Sequence, residues 1–106
     1  MVLENYVVLP EGRPVRLHFT EHGMVDRDIP DPLLGFPKRV TTLVFLVDEE
    51  DGRPVAKSLD ITAEGLAAQL AGYLVDQQYR RYDIIITRRG SGFGTKYTVV
   101  ASPRPG

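Results

Sequence analysis

Residues 39–61, RVTTLVFLVDEEDGRPVAKSLDI, decide the fold. Arg39 to Asp48 is rich in β-branched residues and becomes apolar on both faces in its second half, the composition of a central strand. Asp51-Gly52 then separates two strand-like runs. Glycine tolerates the positive φ of a tight hairpin turn, so this dipeptide predicts that the chain doubles back. The returning strand is Pro54 to Ile61, where Val55, Leu59 and Ile61 alternate and Lys57 is the odd member. A bulge or a sheet edge near Lys57 accounts for it.

Beyond Ile61 the apolar period changes from two to that of a helix. Thr62 is placed to cap, Glu64 suits the first turn, and Leu66, Leu70, Tyr73 and Leu74 fall on one face, predicting a helix over about 63–77. Gly65 and Gly72 weaken it, each by roughly 1 kcal/mol relative to alanine, so packing must hold it. Tyr82 to Arg89 reads as the next strand, GSGFG as a turn and Thr95 to Ala101 as the last strand. On the N-terminal side, Val15, Leu17 and Phe19 alternate with Arg16, His18 and Thr20 in a half-buried strand over Pro14 to Thr20. Tyr6 to Leu9 is a short apolar run within an extension over 1–13, ended by a Pro- and Gly-containing turn. Glu21 to Lys38, with three prolines and two glycines and no helical spacing, reads as a long surface loop.

The resulting order is strand, strand, strand, helix, strand, strand. The expected fold class is therefore mostly β with one helix: a five-stranded, OB-fold-like Greek-key barrel, whose second and third strands and first and last hairpin loops form the usual binding face. With 106 residues, the chain reads as one such domain, with a flexible tail at 102–106. Hydrophobic and charged contents of 42% and 25% are those of a folded chain. No apolar run spans a membrane, and MVLENYVVLPEGR lacks the basic head and apolar stretch of a signal peptide, which predicts a cytoplasmic protein. Cysteine is absent, excluding disulfides, thiolate metal sites and cysteine nucleophiles. The lack of Cys and the single Asn, Asn5, point weakly toward a heat-adapted source.

The net charge of −1 conceals an asymmetry. Residues 1–78 carry seven Lys or Arg against thirteen acids, whereas residues 79–106 carry six against Asp83 alone. A basic C-terminal quarter suggests an anionic partner. Ten of the thirteen cations are Arg, which forks onto phosphate and stacks on bases.

Asp83 to Val100, DIIITRRGSGFGTKYTVV, concentrates these features. It resembles the closing hairpin of OB-fold single-stranded DNA-binding proteins of phages and archaea, through Arg88, Arg89, Gly90, Gly92, Gly94, Thr95, Lys96 and Tyr97. A looser likeness runs from Pro14 to Ala101. The resemblance implies an OB fold and a single-stranded nucleic-acid ligand, DNA before RNA.

On physical grounds Arg88, Arg89 and Lys96 would follow phosphates while Phe93, at the tip between glycines, would offer a stacking surface; the alternative is that Phe93 folds back onto the barrel. Phe36, Lys38 and Arg39 form a second basic and aromatic cluster, or else Phe36 joins Leu33 and Leu34 as a plug. Tyr97 is a further stacking candidate, and Lys57 either faces ligand or protects an edge. His18 and His22 lack convergent spacing for a metal, and Asp48 to Asp51 lacks that of a calcium loop. GSGFG leads to a strand rather than a helix, so it is neither a Walker nor a dinucleotide motif. No catalytic triad or carboxylate pair assembles. The expectation is a non-enzymatic binder of single-stranded nucleic acid with little sequence preference, without cofactor or metal. The rival is an assembly module that meets a second copy or another protein through a sheet edge or the 31–37 loop.

Overall fold

Glu50 pairs with Arg53 across Asp51 and Gly52, whose φ values of 52° and 82° make the expected two-residue type I′ hairpin. The computed structural model describes residues 6–31, 33, 35–90 and 94–104, with the backbone alone for Arg27, Ile29, Pro30, Asp31 and Lys38. Its elements are β1 (Val15–Asp31), β2 (Phe36–Glu50), β3 (Arg53–Ile61), α1 (Glu64–Leu70), two 3-10 segments (Ala71–Tyr73 and Val75–Arg81), β4 (Tyr82–Arg89) and β5 (Lys96–Pro103). The protein is thus mostly β. All five strands form one antiparallel sheet in the order β3-β2-β1-β4-β5.

The sheet is not closed by hydrogen bonds: β3 and β5 are its two edges. Each is covered in part. Val7 N–H donates to the Ser58 carbonyl at 2.9 Å on β3, and the Gln69 side chain donates to the Tyr97 carbonyl at 2.8 Å on β5. α1, which supplies Gln69, touches both edge strands. Covering an edge this way blunts its tendency to pair with another chain.

Inside the curved sheet lie Val15, Leu17 and Phe19 of β1, Leu43, Phe45 and Val47 of β2, Leu59 and Ile61 of β3, and Ile84 and Ile86 of β4. Period-two alternation puts these residues on one face. Phe19 and Phe45 stack at 4.1 Å between ring centroids, and Tyr79 meets Phe45 edge-on at 5.3 Å. Such offset and edge-on pairs add about 0.5–1.5 kcal/mol beyond simple burial. Lys57 follows Leu59 and Ile61 in the inward alternation. It reaches the Glu50 carboxylate at 2.7 Å, beside a β3 bulge where Val55 and Ala56 oppose Asp48 alone.

Two expectations are corrected. The stretch from Glu21 to Lys38 is not a loop: β1 and β2 pair without interruption from Glu21↔Leu46 to Asp31↔Phe36. Beyond Leu43 no third strand of the described residues pairs with them, so Met24–Asp31 and Phe36–Thr42 form a two-stranded ribbon. Thr42 is the one buried side chain among the described residues of this ribbon, so it has no need of strict apolar alternation, which removes the usual sign of a strand. The helix, in turn, is shorter than 63–77. α1 ends at Leu70 and the chain continues in 3-10 turns, broken where Asp76 and Gln77 both take φ of 52°. Thr62 does not cap; Ala63 stands at the N-cap with no side-chain bond. Leu66 and Leu70 are buried as the spacing requires, but Tyr79 enters the core from the second 3-10 segment. Tighter turns re-phase the chain after Gly72 and deliver that ring.

Candidate nucleic-acid interface

In the β4–β5 hairpin Arg88 pairs with Tyr97 and Arg89 with Lys96. Gly90 begins the turn at φ 82°, and a Cβ there would lie 2.6 Å from the Gly94 carbonyl oxygen, so only glycine fits without movement. Phe93, the expected stacking ring, lies outside the described residues.

Alternation divides the hairpin's cations. Arg88 shares the inward face with Ile84 and Ile86, and its guanidinium donates to the Leu9 carbonyl at 2.8 Å and the Gly90 carbonyl at 3.1 Å. Its own carbonyl accepts from Gly12 N–H at 2.7 Å. Arg88 therefore ties the N-terminal segment to the hairpin. Arg89 and Lys96 face outward, both exposed, with no ion pair among the described residues. Tyr97 packs half-buried against the core. Lys57 is held by Glu50.

The second expected cluster does not join the first. Phe36 (61% exposed) and Arg39 sit on the distal ribbon, where Arg39 pairs with Asp28 at 3.6 Å; the Lys38 side chain lies outside the described residues. β1 meets β4 only over Val15 to Leu17. Asp28 lies eleven residues further along, or roughly 35 Å at strand rise.

The tertiary structure brings other cations to the hairpin instead. β1 begins, β2 turns into β3, and β4 ends at one extremity of the sheet. Arg13 reaches Asp51 at 3.2 Å, and the other Asp51 oxygen accepts from Arg16 N–H at 3.0 Å. Arg16 pairs with Ile85, on the same outward face as Arg89 four residues on. Arg53 flanks the β2–β3 turn. Gathered at this end are Arg13, Arg16, Arg53, Lys57, Arg88, Arg89 and Lys96, against Glu11, Asp48, Glu49, Glu50 and Asp51, of which Asp48 is taken by His18 and Glu49 by Arg104. Of these, Arg16, Arg53, Arg89 and Lys96 are exposed and form no ion pair among the described residues. Between them on the outward face lie the cross-strand pairs Thr87↔Thr98 and Ile85↔Val100. Arg16 and Arg53 were not singled out in the sequence. The available signal was Arg16's place on the polar side of its strand, which says nothing of its neighbours until β4 is placed beside it.

Elsewhere the charged and titratable groups serve the fold. Arg104 donates to Glu49 at 3.0 Å and to Asp83 at 2.7 Å, and its N–H bonds the Arg81 carbonyl at 2.9 Å. The Arg104 hydrogen bond and charge hold the Glu49 carboxyl below its ordinary value. Thus, in the segment expected as a tail, Ser102 and Pro103 belong to β5 and Arg104 is anchored. His18 donates from Nε2 to the Arg80 carbonyl at 2.9 Å, with Nδ1 2.6 Å from Asp48. His22 Nδ1 lies 2.7 Å from the buried Tyr79 hydroxyl. Burial raises the Tyr79 phenol above its ordinary value. The two histidines thus brace the second 3-10 segment. Among the described residues no group of three or more His, Cys, Asp or Glu could hold a metal ion, and no helix is long and apolar enough to cross a membrane.

Comparison with family models, with curated proteins and with solved structures gives no match in any of the three.

Proposed function

We propose that this chain is a non-catalytic module that binds single-stranded nucleic acid, DNA before RNA, through the basic end of its sheet. The observation that carries the reading is that Arg16, Arg53, Arg89 and Lys96, from three separate segments, stand exposed at one end without ion pairs among the described residues. Cations already neutralised by neighbouring acids have little to offer a phosphate, whereas these have their charge free. The fold is consistent with the OB-type reading in one further respect. Five antiparallel strands in the order β3-β2-β1-β4-β5, with a helix after β3 that touches both edge strands, support a partly open five-stranded barrel of that type. Affinity on this reading is mainly electrostatic and tolerant of sequence, with bases stacking where a ring such as Phe93 is presented.

A fluorescence titration of a labelled oligothymidine at two salt concentrations, with unlabelled duplex as competitor, tests the proposal. Saturable binding that weakens with salt and resists the duplex is expected. No saturable binding at low salt overturns it, as does equal competition by duplex.

A further inference from the structure

Over the core, the outward side of the sheet changes sign from one half to the other. On β2 and β3 it carries the pairs Val44↔Asp60 and Leu46↔Ser58, then Asp48, which lies 2.6 Å from His18, and Glu49, opposite His18. The groove of about 440 Å³ beside the β3 bulge has Asp48 and Lys57 as its charged lining, and Lys57 is already held by Glu50 at 2.7 Å. On β4 and β5 the outward rows read Asp83↔Ser102, Ile85↔Val100, Thr87↔Thr98 and Arg89↔Lys96, with Arg16 of β1 beside Ile85. Val100 is 52% exposed. The one acid in these two rows, Asp83, bonds Arg104 at 2.7 Å, a guanidinium it shares with Glu49. Arg16, Arg89 and Lys96 are exposed and form no ion pair among the described residues.

We propose that a bound single strand lays its bases on the outward face of β1, β4 and β5, against Ile85 and Val100, and avoids the outward face of β2 and β3. The placement presupposes nucleic-acid binding at the basic end and adds where the bases lie. Charge decides between the two faces. A phosphate backbone is drawn to free cations and repelled by carboxylates; the β4–β5 rows end in Arg89 and Lys96, whereas the β2–β3 side presents Asp48, Glu49 and Asp60. An OB barrel ordinarily binds on its second and third strands, and that is the side this chain makes acidic. Surface shape agrees with charge. Ile85, Thr87, Thr98 and Val100 are β-branched and stand side by side on adjacent strands, forming a flat, mainly apolar platform. The face of a base is also flat and apolar, so laying one on the other removes both from water, and the threonine hydroxyls are placed to meet base edges. Arg16, directly across from Ile85, can cover a base with its planar guanidinium while its charge still meets the backbone. Arg89 and Lys96 lie four residues, roughly 14 Å, further along the strands, so cations stand at both ends of the platform.

The chain has no tryptophan, so a single introduced indole reports its own surroundings. Val100→Trp puts it on the proposed face and Leu46→Trp on the β2–β3 face, where Leu46 is 47% exposed. Each full-length variant is titrated at low salt with unlabelled oligothymidine, while the anisotropy of a labelled oligothymidine follows binding separately. Saturable quenching at the anisotropy midpoint is expected for Val100→Trp, and none for Leu46→Trp. Val100→Ala should weaken affinity about fourfold and leave the salt slope unaltered, because it removes apolar contact and no charge. Saturable binding that leaves Val100→Trp unquenched, or that quenches Leu46→Trp as strongly, overturns the placement while nucleic-acid binding stands. Absence of saturable anisotropy overturns nucleic-acid binding and the placement with it. Should circular dichroism show Val100→Trp unfolded, Thr98→Trp, at an exposed position on the same face, gives the same readout.

Discussion

Charge neutralisation at Arg89 and Lys96 provides the sharpest measurement of the proposed interface. If Arg16, Arg53, Arg89 and Lys96 each neutralise one phosphate of a single strand, the log-log slope of affinity against salt is about −2.8, at about −0.7 per contact. Raising salt from about 50 to 200 mM should then weaken binding about fifty-fold. The double variant Arg89→Ala, Lys96→Ala keeps two contacts, with a slope of about −1.4 and a loss of only about sevenfold over that interval. Both side chains are exposed and unpaired among the described residues, so the variant's fold should be intact, which circular dichroism checks. Two further variants make the measurement specific. Arg39→Ala lies on the distal ribbon and already pairs with Asp28, so the slope should not move. Arg88→Ala removes bonds to Leu9 and Gly90, so it should lower thermal stability more than it changes the slope. Fluorescence anisotropy with a labelled oligothymidine at four or five salt concentrations supplies every value. An unaltered slope in the double variant, or an equal fall in Arg39→Ala, refutes the assignment of phosphate contacts to this end.

Three other outcomes follow from the packing. Gly90→Ala places a Cβ 2.6 Å from the Gly94 carbonyl at a φ of 82° and should cost about 1–3 kcal/mol; Gly23→Ala, with no atom near and an ordinary φ, should be far milder, and thermal melting compares them. Tyr79 is raised above its ordinary 10.0, so its contribution is complete below that value and is lost as pH climbs through the higher folded one. The wild type should therefore unfold in alkali with phenolate absorbance appearing alongside, while Tyr79→Phe should remove that component and cost about 0.5–1.5 kcal/mol near neutrality for the lost hydrogen bond. Glu49 is lowered from its ordinary 4.5 by Arg104. Its contribution is present above that value and disappears as pH falls through the folded one, and Glu49→Gln should flatten this part of the acid-stability profile measured by urea unfolding.

Local chemistry by itself determined the Asp51-Gly52 hairpin, the β4 boundaries at Tyr82 and Arg89, and the inward places of Val15, Leu17 and Phe19 on β1 and of Leu59 and Ile61 on β3. These features are set by φ preference and by alternation, which nearest neighbours in the chain dictate. The same rule puts Arg88 and Arg89 on opposite faces. It does not reveal that Leu9 waits on one of them. The ribbon beyond Leu43 escaped such a reading because Thr42 is its one buried side chain among the described residues, so burial imposes no alternation there. The end of α1 escaped it because Leu66, Leu70, Tyr73 and Leu74 keep helical spacing whether the last turns are α or 3-10. Only the tertiary structure decided which cations share a surface. Arg16 lies beside β4, and Arg53 at the same end of the sheet, through pairings between residues tens of positions apart. Short-range propensity is silent about such encounters, because they are chosen by the burial of all the strands together.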